Sequence, residues 1–183
     1  MIYSTRLRII EANDAQWILF SPYEPKIFLL KMMWQQISAD LDGLLDSNDR
    51  TVTTLANAAA FLCSRIPRIN WLGFYFLDGN HLYLGPFTGK PACTSIEVGK
   101  GVCGTSALIH EVIVVPNVDQ FPGHIACDED SRSEIVLPII LPNGDLFGVL
   151  DVDSAELSRF SDDDKAGLEA VVSVLRTKIV AKL

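Results

Sequence analysis

Three of the four cysteines in this 183-residue chain lie within one stretch, at Cys93, Cys103 and Cys127. Glycines surround Cys103, and Pro122-Gly123 shortly precedes Cys127. Because glycine and proline are typical of loops, this pattern predicts that the thiols lie on loops above a sheet rather than in a core. Loop thiols can approach one another and react. The favoured chemistry is a redox pair, in which one thiol becomes oxidised and a second resolves it as a disulfide.

Other chemistry is less consistent with these residues. A zinc site could combine the three thiols with His124, but the sequence contains no close Cys-x-x-Cys pair there. The glycine run around Cys103 lacks the Gly-Lys-Ser/Thr ending of a phosphate-binding loop. We therefore expect neither a metal nor another cofactor. Cys63 falls near the apolar stripe of a predicted helix and is expected to be an unreactive, buried residue.

Two acids interrupt an otherwise apolar strand at Asp151 and Asp153. Since strand side chains alternate, both lie on one face, about 7 Å apart. Glu134 opens the partner strand, so it is a third acid for the same region. These residues could mark strand ends that reach solvent. Alternatively, they form a cluster that binds an ammonium group and includes one acid with a raised pKa that donates a proton.

Alternation also assigns the aromatic residues of the strand that begins near residue 69. Trp71, Gly73 and Tyr75 share one face, whereas Leu72, Phe74 and Phe76 share the other. The glycine between two polar-tipped aromatics leaves space that a ligand could fill. An ordinary aromatic core is the competing interpretation.

The remaining pattern predicts an α+β domain. Apolar spacings of three and four indicate one helix from Lys26 to about residue 44 and another over 51–66. Alternating segments over 69–77, 81–87, 112–115, 133–141 and 145–153 predict strands, most of them paired as hairpins. Ser161 and Asp164 resemble a capping box before a terminal helix. We expect residues 1–25 to be an N-terminal extension ending in a linker and residues 26–183 to be a single domain.

Charge and hydropathy limit the partners. The formal net charge is −8, and no basic stripe suits nucleic acid or an anionic membrane. No apolar run is long enough to span a bilayer, and the N-terminus lacks the order of a secretory signal. Cysteines without an evident need for structural disulfides suit a reducing compartment, so we expect a cytoplasmic protein that binds a small ligand. The oligomeric state stays open, with a homodimer among the alternatives.

The thiol and acid motifs resemble those of the free methionine-(R)-sulfoxide reductases, which are stand-alone GAF-type domains. The similarity covers roughly residues 28 to 180. It rests on the segments 70–75, 84–87, 89–93, 101–105, 121–128, 131–136 and 148–154.

This resemblance implies a GAF-like fold, with a central antiparallel sheet flanked by N-terminal and C-terminal helices. It implies that Cys127 attacks the sulfoxide sulfur and becomes a sulfenic acid, which Cys93 or Cys103 then resolves. A thioredoxin-type reductant would restore the thiols, and the setting would be oxidative stress. The resemblance further implies which residues surround free methionine sulfoxide: Trp71, Tyr75, Glu134, Asp151 and Asp153.

Asp128 adjoins Cys127 and disfavours a thiolate there, unless His124 or backbone N–H groups compensate. A non-catalytic GAF module that senses a small ligand, such as a cyclic nucleotide, is the alternative function. The three acids disfavour it, because they would repel a phosphate.

Overall fold

The computed structural model describes residues 8–10, 18–20, 24–125 and 127–180. Eight strands and four α-helices occur along these ranges. In chain order they are β1 (Arg8–Ile10), β2 (Ile18–Phe20), α1 (Glu24–Leu44), α2 (Thr51–Arg65), β3 (Trp71–Asp78), β4 (His81–Thr88), β5 (Ser95–Glu97), α3 (Gly101–Ile109), β6 (Ile113–Val115), β7 (Ser133–Ile140), β8 (Leu146–Ser154) and α4 (Asp162–Val180).

Six strands form the central sheet in the order β5-β4-β3-β8-β7-β6, and every neighbouring pair is antiparallel. The order follows from two hairpins, β3–β4 and β7–β8, which meet through the β3–β8 ladder. α1, α2 and α4 pack together beside the sheet and contribute to one hydrophobic core with it. The predicted α+β fold, with an antiparallel sheet flanked by N-terminal and C-terminal helices, is confirmed.

The two faces of the sheet have different neighbours. Leu72 and Phe74 belong to the larger core, which the three long helices share. Trp71 and Tyr75 belong to a second core on the opposite face, together with residues of α3 and β5. The predicted alternation of β3 is therefore confirmed, and it places the thiol region on the face opposite the long helices.

The helix ends also follow the sequence signals closely. Ser161 Oγ accepts a hydrogen bond from the Asp164 backbone N–H (3.2 Å), and Asp164 Oδ2 accepts one from the Ser161 backbone N–H (2.9 Å). This reciprocal pair is the predicted capping box of α4. α1 begins at Glu24, two residues before the expected Lys26.

The loop predicted around Cys103 is wrong, because Gly101–Ile109 forms α3. Gly104 serves close approach within this helix. A Cβ at Gly104 would overlap the Glu97 carbonyl oxygen, so only glycine lets this helix pack so tightly against the chain after β5. α3 ends at His110, which adopts left-handed geometry (φ 59°).

The predicted extension at residues 1–25 contains one antiparallel pair, in which β1 lies beside β2. The predicted linker at residues 21–25 lies mostly outside the described residues, apart from the start of α1. Among the described helices, none combines the length and the hydrophobicity needed to cross a membrane.

Candidate active site

Cys93 and Cys127 form a disulfide, with their Cα atoms 5.2 Å apart and their positions separated by 34 in the sequence. Cys93 lies in the segment between β4 and β5, and Cys127 lies in the segment that leads to β7. Both segments lie on the sheet face opposite the long helices, where the second core includes the two cysteines. Of the two thiols expected to pair with Cys127, the structure pairs Cys93.

Cys103 remains a free thiol in the first turn of α3 and is only 3% exposed. Its Sγ lies 4.0 Å from Glu134 Oε1. Burial raises the pKa of this thiol well above its usual range, and the nearby Asp151 and Glu134 raise it further. A thiol that resists ionisation is a poor nucleophile, so this position favours a lining role over a reactive one. Cys63 is also free and half-buried, on α2.

The three acids lie close together where the start of β7 pairs with the last residues of β8. Glu134 pairs directly with Asp153 across the ladder, and Asp151 lies opposite Gly73 of β3. All three are buried, at 5% exposure for Glu134 and Asp151 and 9% for Asp153. The interpretation that they mark strand ends reaching solvent is therefore wrong. The hairpin register and the period of two bring them to one face, as the sequence predicted.

Burial has a clear electrostatic consequence for these carboxyl groups. It raises the pKa of Glu134, Asp151 and Asp153 well above the usual range, and repulsion within the cluster adds to the effect. Asp151 Oδ1 is buried and makes no hydrogen bond within the part of the chain that the structure describes. Since an unpaired buried oxygen is costly, the cluster is poised to accept a donor from a ligand.

Trp71 and Tyr75 are fully buried beside the acids, and their polar atoms donate hydrogen bonds to backbone carbonyl groups. Trp71 Nε1 donates to the Lys90 carbonyl oxygen (3.0 Å), and the Tyr75 hydroxyl donates to the Cys93 carbonyl oxygen (3.1 Å). Burial, followed by the charge of Asp151, raises the pKa of Tyr75. The space expected above Gly73 is already occupied, because a Cβ there would overlap the Trp71 ring and Phe87. Whether Trp71 and Tyr75 contact the substrate stays a prediction.

Asn70, Ser131 and Lys90 lie in the segments that carry the resemblance, but none of them was among the predicted site residues. Asn70 Nδ2 donates to Asp128 Oδ2 (3.0 Å) and to Ser131 Oγ (3.1 Å), which links the start of β3 to the segment carrying Cys127. For Asn70, a further local signal is its position directly before a strongly apolar strand. Lys90 forms ion pairs with Asp128 and Asp130.

The charge of Asp128 is balanced by several donors. Its burial would raise its pKa, but the Asp130 backbone N–H, Asn70 and Lys90 together hold the pKa below its usual range. His124 contributes little positive charge, because burial lowers its pKa despite the opposing effect of Asp119. Of the two expected sources of compensation, a backbone N–H, that of Asp130, acts on Asp128, and Asn70 and Lys90 act beside it.

One cavity joins these elements. Of the described residues that line it, five were predicted site residues: Cys103, Cys127, Glu134, Asp151 and Asp153. Potential ligand atoms of Cys103, Glu134 and Asp151 lie within 4.8 Å of one another, so these residues are the set that could reach a single cation. An organic ammonium group suits the same oxygens through hydrogen bonds.

Comparison with known proteins gives a consistent result. Residues 40–179 match the GAF domain family. The chain is 45% identical to the free methionine-R-sulfoxide reductase of Escherichia coli over 148 residues, which cover 81% of this chain and 88% of that protein.

Solved structures agree with this similarity. The structure of fRMsr of Staphylococcus aureus in complex with its substrate is 42% identical in sequence to this chain, with a TM-score of 0.75. The matched region covers 80% of this chain and 95% of that chain. The free methionine-R-sulfoxide reductase of Neisseria meningitidis, also with its substrate, is 33% identical with a TM-score of 0.74 and covers 97% of both chains. The chain therefore belongs to the GAF domain family and, within it, to the free methionine-R-sulfoxide reductases.

Proposed function

We propose that this protein reduces free L-methionine-(R)-S-oxide to L-methionine with its own thiols. The observation that carries this proposal is the Cys93–Cys127 disulfide beside a buried cluster of three acids. The disulfide is the form expected after one turnover, and the acids suit the ammonium group of a free amino acid. The relatives named above act on free methionine sulfoxide, which supports the same substrate and epimer here.

In the first step, the Cys127 sulfur attacks the sulfoxide sulfur. The oxygen passes from the substrate to Cys127, so methionine leaves and Cys127 becomes a sulfenic acid. Protonation of the sulfoxide oxygen makes its sulfur more electrophilic. A carboxyl group that stays protonated through burial can supply this proton, and Glu134, Asp151 and Asp153 all have raised pKa values.

In the second step, the Cys93 thiol attacks the sulfenic sulfur of Cys127. A disulfide forms and the oxygen leaves as water, which takes its second hydrogen from the Cys93 thiol. A dithiol reductant of the thioredoxin type then exchanges with the disulfide and restores both thiols.

The acids explain why the substrate would be a free amino acid. A neutral acid cluster gains little from a neutral ligand, whereas an ammonium group favours ionisation of one carboxyl and bonds to it directly. The unpaired Asp151 Oδ1 is an acceptor for such a donor. The acid that donates the proton and the acid that binds the ammonium can differ.

We further propose the bounds of the catalytic domain, the compartment and the oligomeric state. Residues 26–183 would form the catalytic domain. The free thiols of Cys63 and Cys103 suit a cytoplasmic protein active under oxidative stress, and a homodimer is compatible with the chemistry.

The test is direct. The protein is incubated with dithiothreitol and each epimer of free methionine sulfoxide, and released methionine is measured by chromatography. We expect release from the R epimer alone. No release from either epimer would overturn the proposal and favour a sensor module.

A further inference from the structure

Lys90 connects the two cysteine segments through ion pairs. Its Nζ lies 3.4 Å from Asp128 Oδ1 and also contacts Asp130 Oδ2. Lys90 precedes Cys93 by three residues, and the two acids follow Cys127 by one and three residues. The ammonium group therefore bridges the chain on one side of the disulfide to the chain on the other side.

Both ends of this bridge are fixed. On the Cys93 side, the carbonyl oxygens of Lys90 and Cys93 accept hydrogen bonds from Trp71 and Tyr75 of β3. The short segment between Lys90 and Cys93 is thus held to the sheet at its two ends. The Lys90 side chain adds the contact of this segment with the acids that follow Cys127.

On the Cys127 side, Asp128 is a rigid anchor. Its side chain is 3% exposed, whereas that of Lys90 is 59% exposed. Asp128 Oδ2 accepts from Asn70 Nδ2, and Asp128 Oδ1 accepts from the Asp130 backbone N–H (3.0 Å). A buried, ionised carboxylate needs a counter-charge, and Lys90 is the cation that the described residues provide.

We propose that Lys90 is a positioning residue for the resolving step, a role that rests on the proposed function. By bridging Asp128 and Asp130, it holds the Cys93 thiol near the Cys127 sulfenic acid. In that step the sulfur–sulfur bond forms, the sulfur–oxygen bond of the sulfenic acid breaks, and water leaves. The methionine-releasing step precedes it and does not need Cys93 to be close.

The test separates the two steps in a single turnover of the reduced protein without added reductant. Methionine release is followed by quenched flow. Disulfide formation is followed by alkylation and mass spectrometry, with dimedone present in a parallel series to capture the sulfenic acid. The variant is Lys90→Met, which keeps the length of the side chain without its charge. Lys31→Met is the matched control, because Lys31 is a similarly exposed lysine (63%) paired with Asp163 between α1 and α4.

For Lys90→Met we expect disulfide formation to slow about three- to tenfold more than methionine release, because two ion pairs between the cysteine segments are lost, whereas Cys127 is affected only through the charge of Asp128. Dimedone capture at Cys127 should rise correspondingly. Lys90→Arg should restore most of the disulfide rate, and Lys31→Met should change neither step. Equal slowing of both steps in Lys90→Met would overturn the proposal, since Lys90 would then act on Cys127 or on the pocket. An unchanged disulfide rate would overturn it as well.

A second measurement is independent of activity. The equilibrium between the Cys93–Cys127 disulfide and dithiothreitol reports how closely the folded protein holds the two thiols. Lys90→Met should shift this equilibrium toward the dithiol about three- to tenfold, with no shift in Lys31→Met. If the unmodified protein releases no methionine, the proposed function fails while this equilibrium still tests the bridge. If methionine is released but the equilibrium is unchanged in Lys90→Met, the bridge alone fails.

Discussion

Glu134 lies directly opposite Asp153 across the β7–β8 ladder, and both carboxyl side chains are buried. Two ionised carboxylates on directly opposed residues would repel each other, because the buried surroundings solvate charge poorly. Burial and then the charge of Asp153 raise the pKa of Glu134, whereas burial and then the charge of Asp151 raise the pKa of Asp153. The pair is therefore a local cost to stability that a ligand can offset.

The raised pKa of Glu134 predicts how the free energy of unfolding varies with pH. An unfolded glutamate ionises near pH 4.3, as a rough reference, whereas folded Glu134 holds its proton to higher pH. Because the folded state binds more protons in that window, stability falls as pH rises through it, and the loss persists at neutral pH. Glu134→Gln should be more stable than the unmodified protein at pH 7 and similar to it near pH 4. Urea unfolding at both values measures this, with Glu169→Gln on the exposed face of α4 as the control; equal effects at both pH values would contradict the burial argument.

The cysteines predict a separation between one turnover and many. Cys127→Ser should abolish methionine release even in a single turnover, because it removes the attacking sulfur. Cys93→Ser should retain one equivalent of methionine per protein and lose thioredoxin-linked cycling. Measuring methionine per protein molecule with and without reductant tests both variants. Stoichiometric release by Cys127→Ser would refute the assignment of the nucleophile.

Cys103 should be dispensable for the disulfide. It is buried in α3 and free while Cys93 is paired, so Cys103→Ser should still form an intramolecular disulfide after exposure to methionine sulfoxide. Peptide mapping should locate the bond between positions 93 and 127. A bridge at Cys103 in the unmodified protein, or no bridge in the variant, would show that Cys103 resolves the sulfenic acid.

Substrate discrimination should follow the ammonium group. Acetylation of the amine removes its charge and adds bulk, so the acids lose their partner. Loss of a charge-assisted contact is worth about 1.5–3 kcal/mol, or roughly one to two orders of magnitude in kcat/KM. Peptide-internal methionine sulfoxide should be a still poorer substrate. Comparable kcat/KM values for free, acetylated and peptide-bound sulfoxide would show that the acids do not recognise the ammonium.

Outside the acid cluster, one buried ion pair predicts a large effect on stability. Asp164 Oδ2 accepts from Arg159 Nη1 (3.0 Å) and from Ser161. Asp164→Ala leaves the buried Arg159 guanidinium without its carboxylate and should cost roughly 3–5 kcal/mol of unfolding free energy. Asp162→Ala, an exposed change in the same helical turn, should cost less than about 1 kcal/mol. Chemical denaturation of both variants makes the comparison; a similar small cost for the two would mean that the buried pair contributes little.

Most of the fold could be predicted because its signals are local. The period of two in β3 and β8, the hairpin turns and the Ser161–Asp164 cap each depend on a few adjacent residues. α3 was missed for a physical reason: glycine is a poor helix former, and its benefit at Gly104 appears only when the Glu97 backbone packs against it. Tertiary contact outweighed local preference there.

In the site as well, features with local signals were predictable from the sequence and features that depend on long-range contacts were not. Alternation along β8 and the start of β7 located the acid cluster, whereas the pairing of Cys93 with Cys127 depends on how two distant segments meet. The Asn70 and Lys90 contacts with Asp128 join residues 58 and 38 positions apart, and nothing local marks such partners. Polar residues that hold a site together through long-range contacts have no periodic signature.

The Cys93–Cys127 bond closes a long covalent loop that contains all of α3. Closing a loop of this length restricts the unfolded chain by about 4 kcal/mol in the entropic description. Each turnover would thus alternate the protein between a more and a less thermally resistant form. The melting temperature of a sample would then report its redox state. When reductant is scarce, the population would accumulate in the disulfide form, which is more stable and inactive.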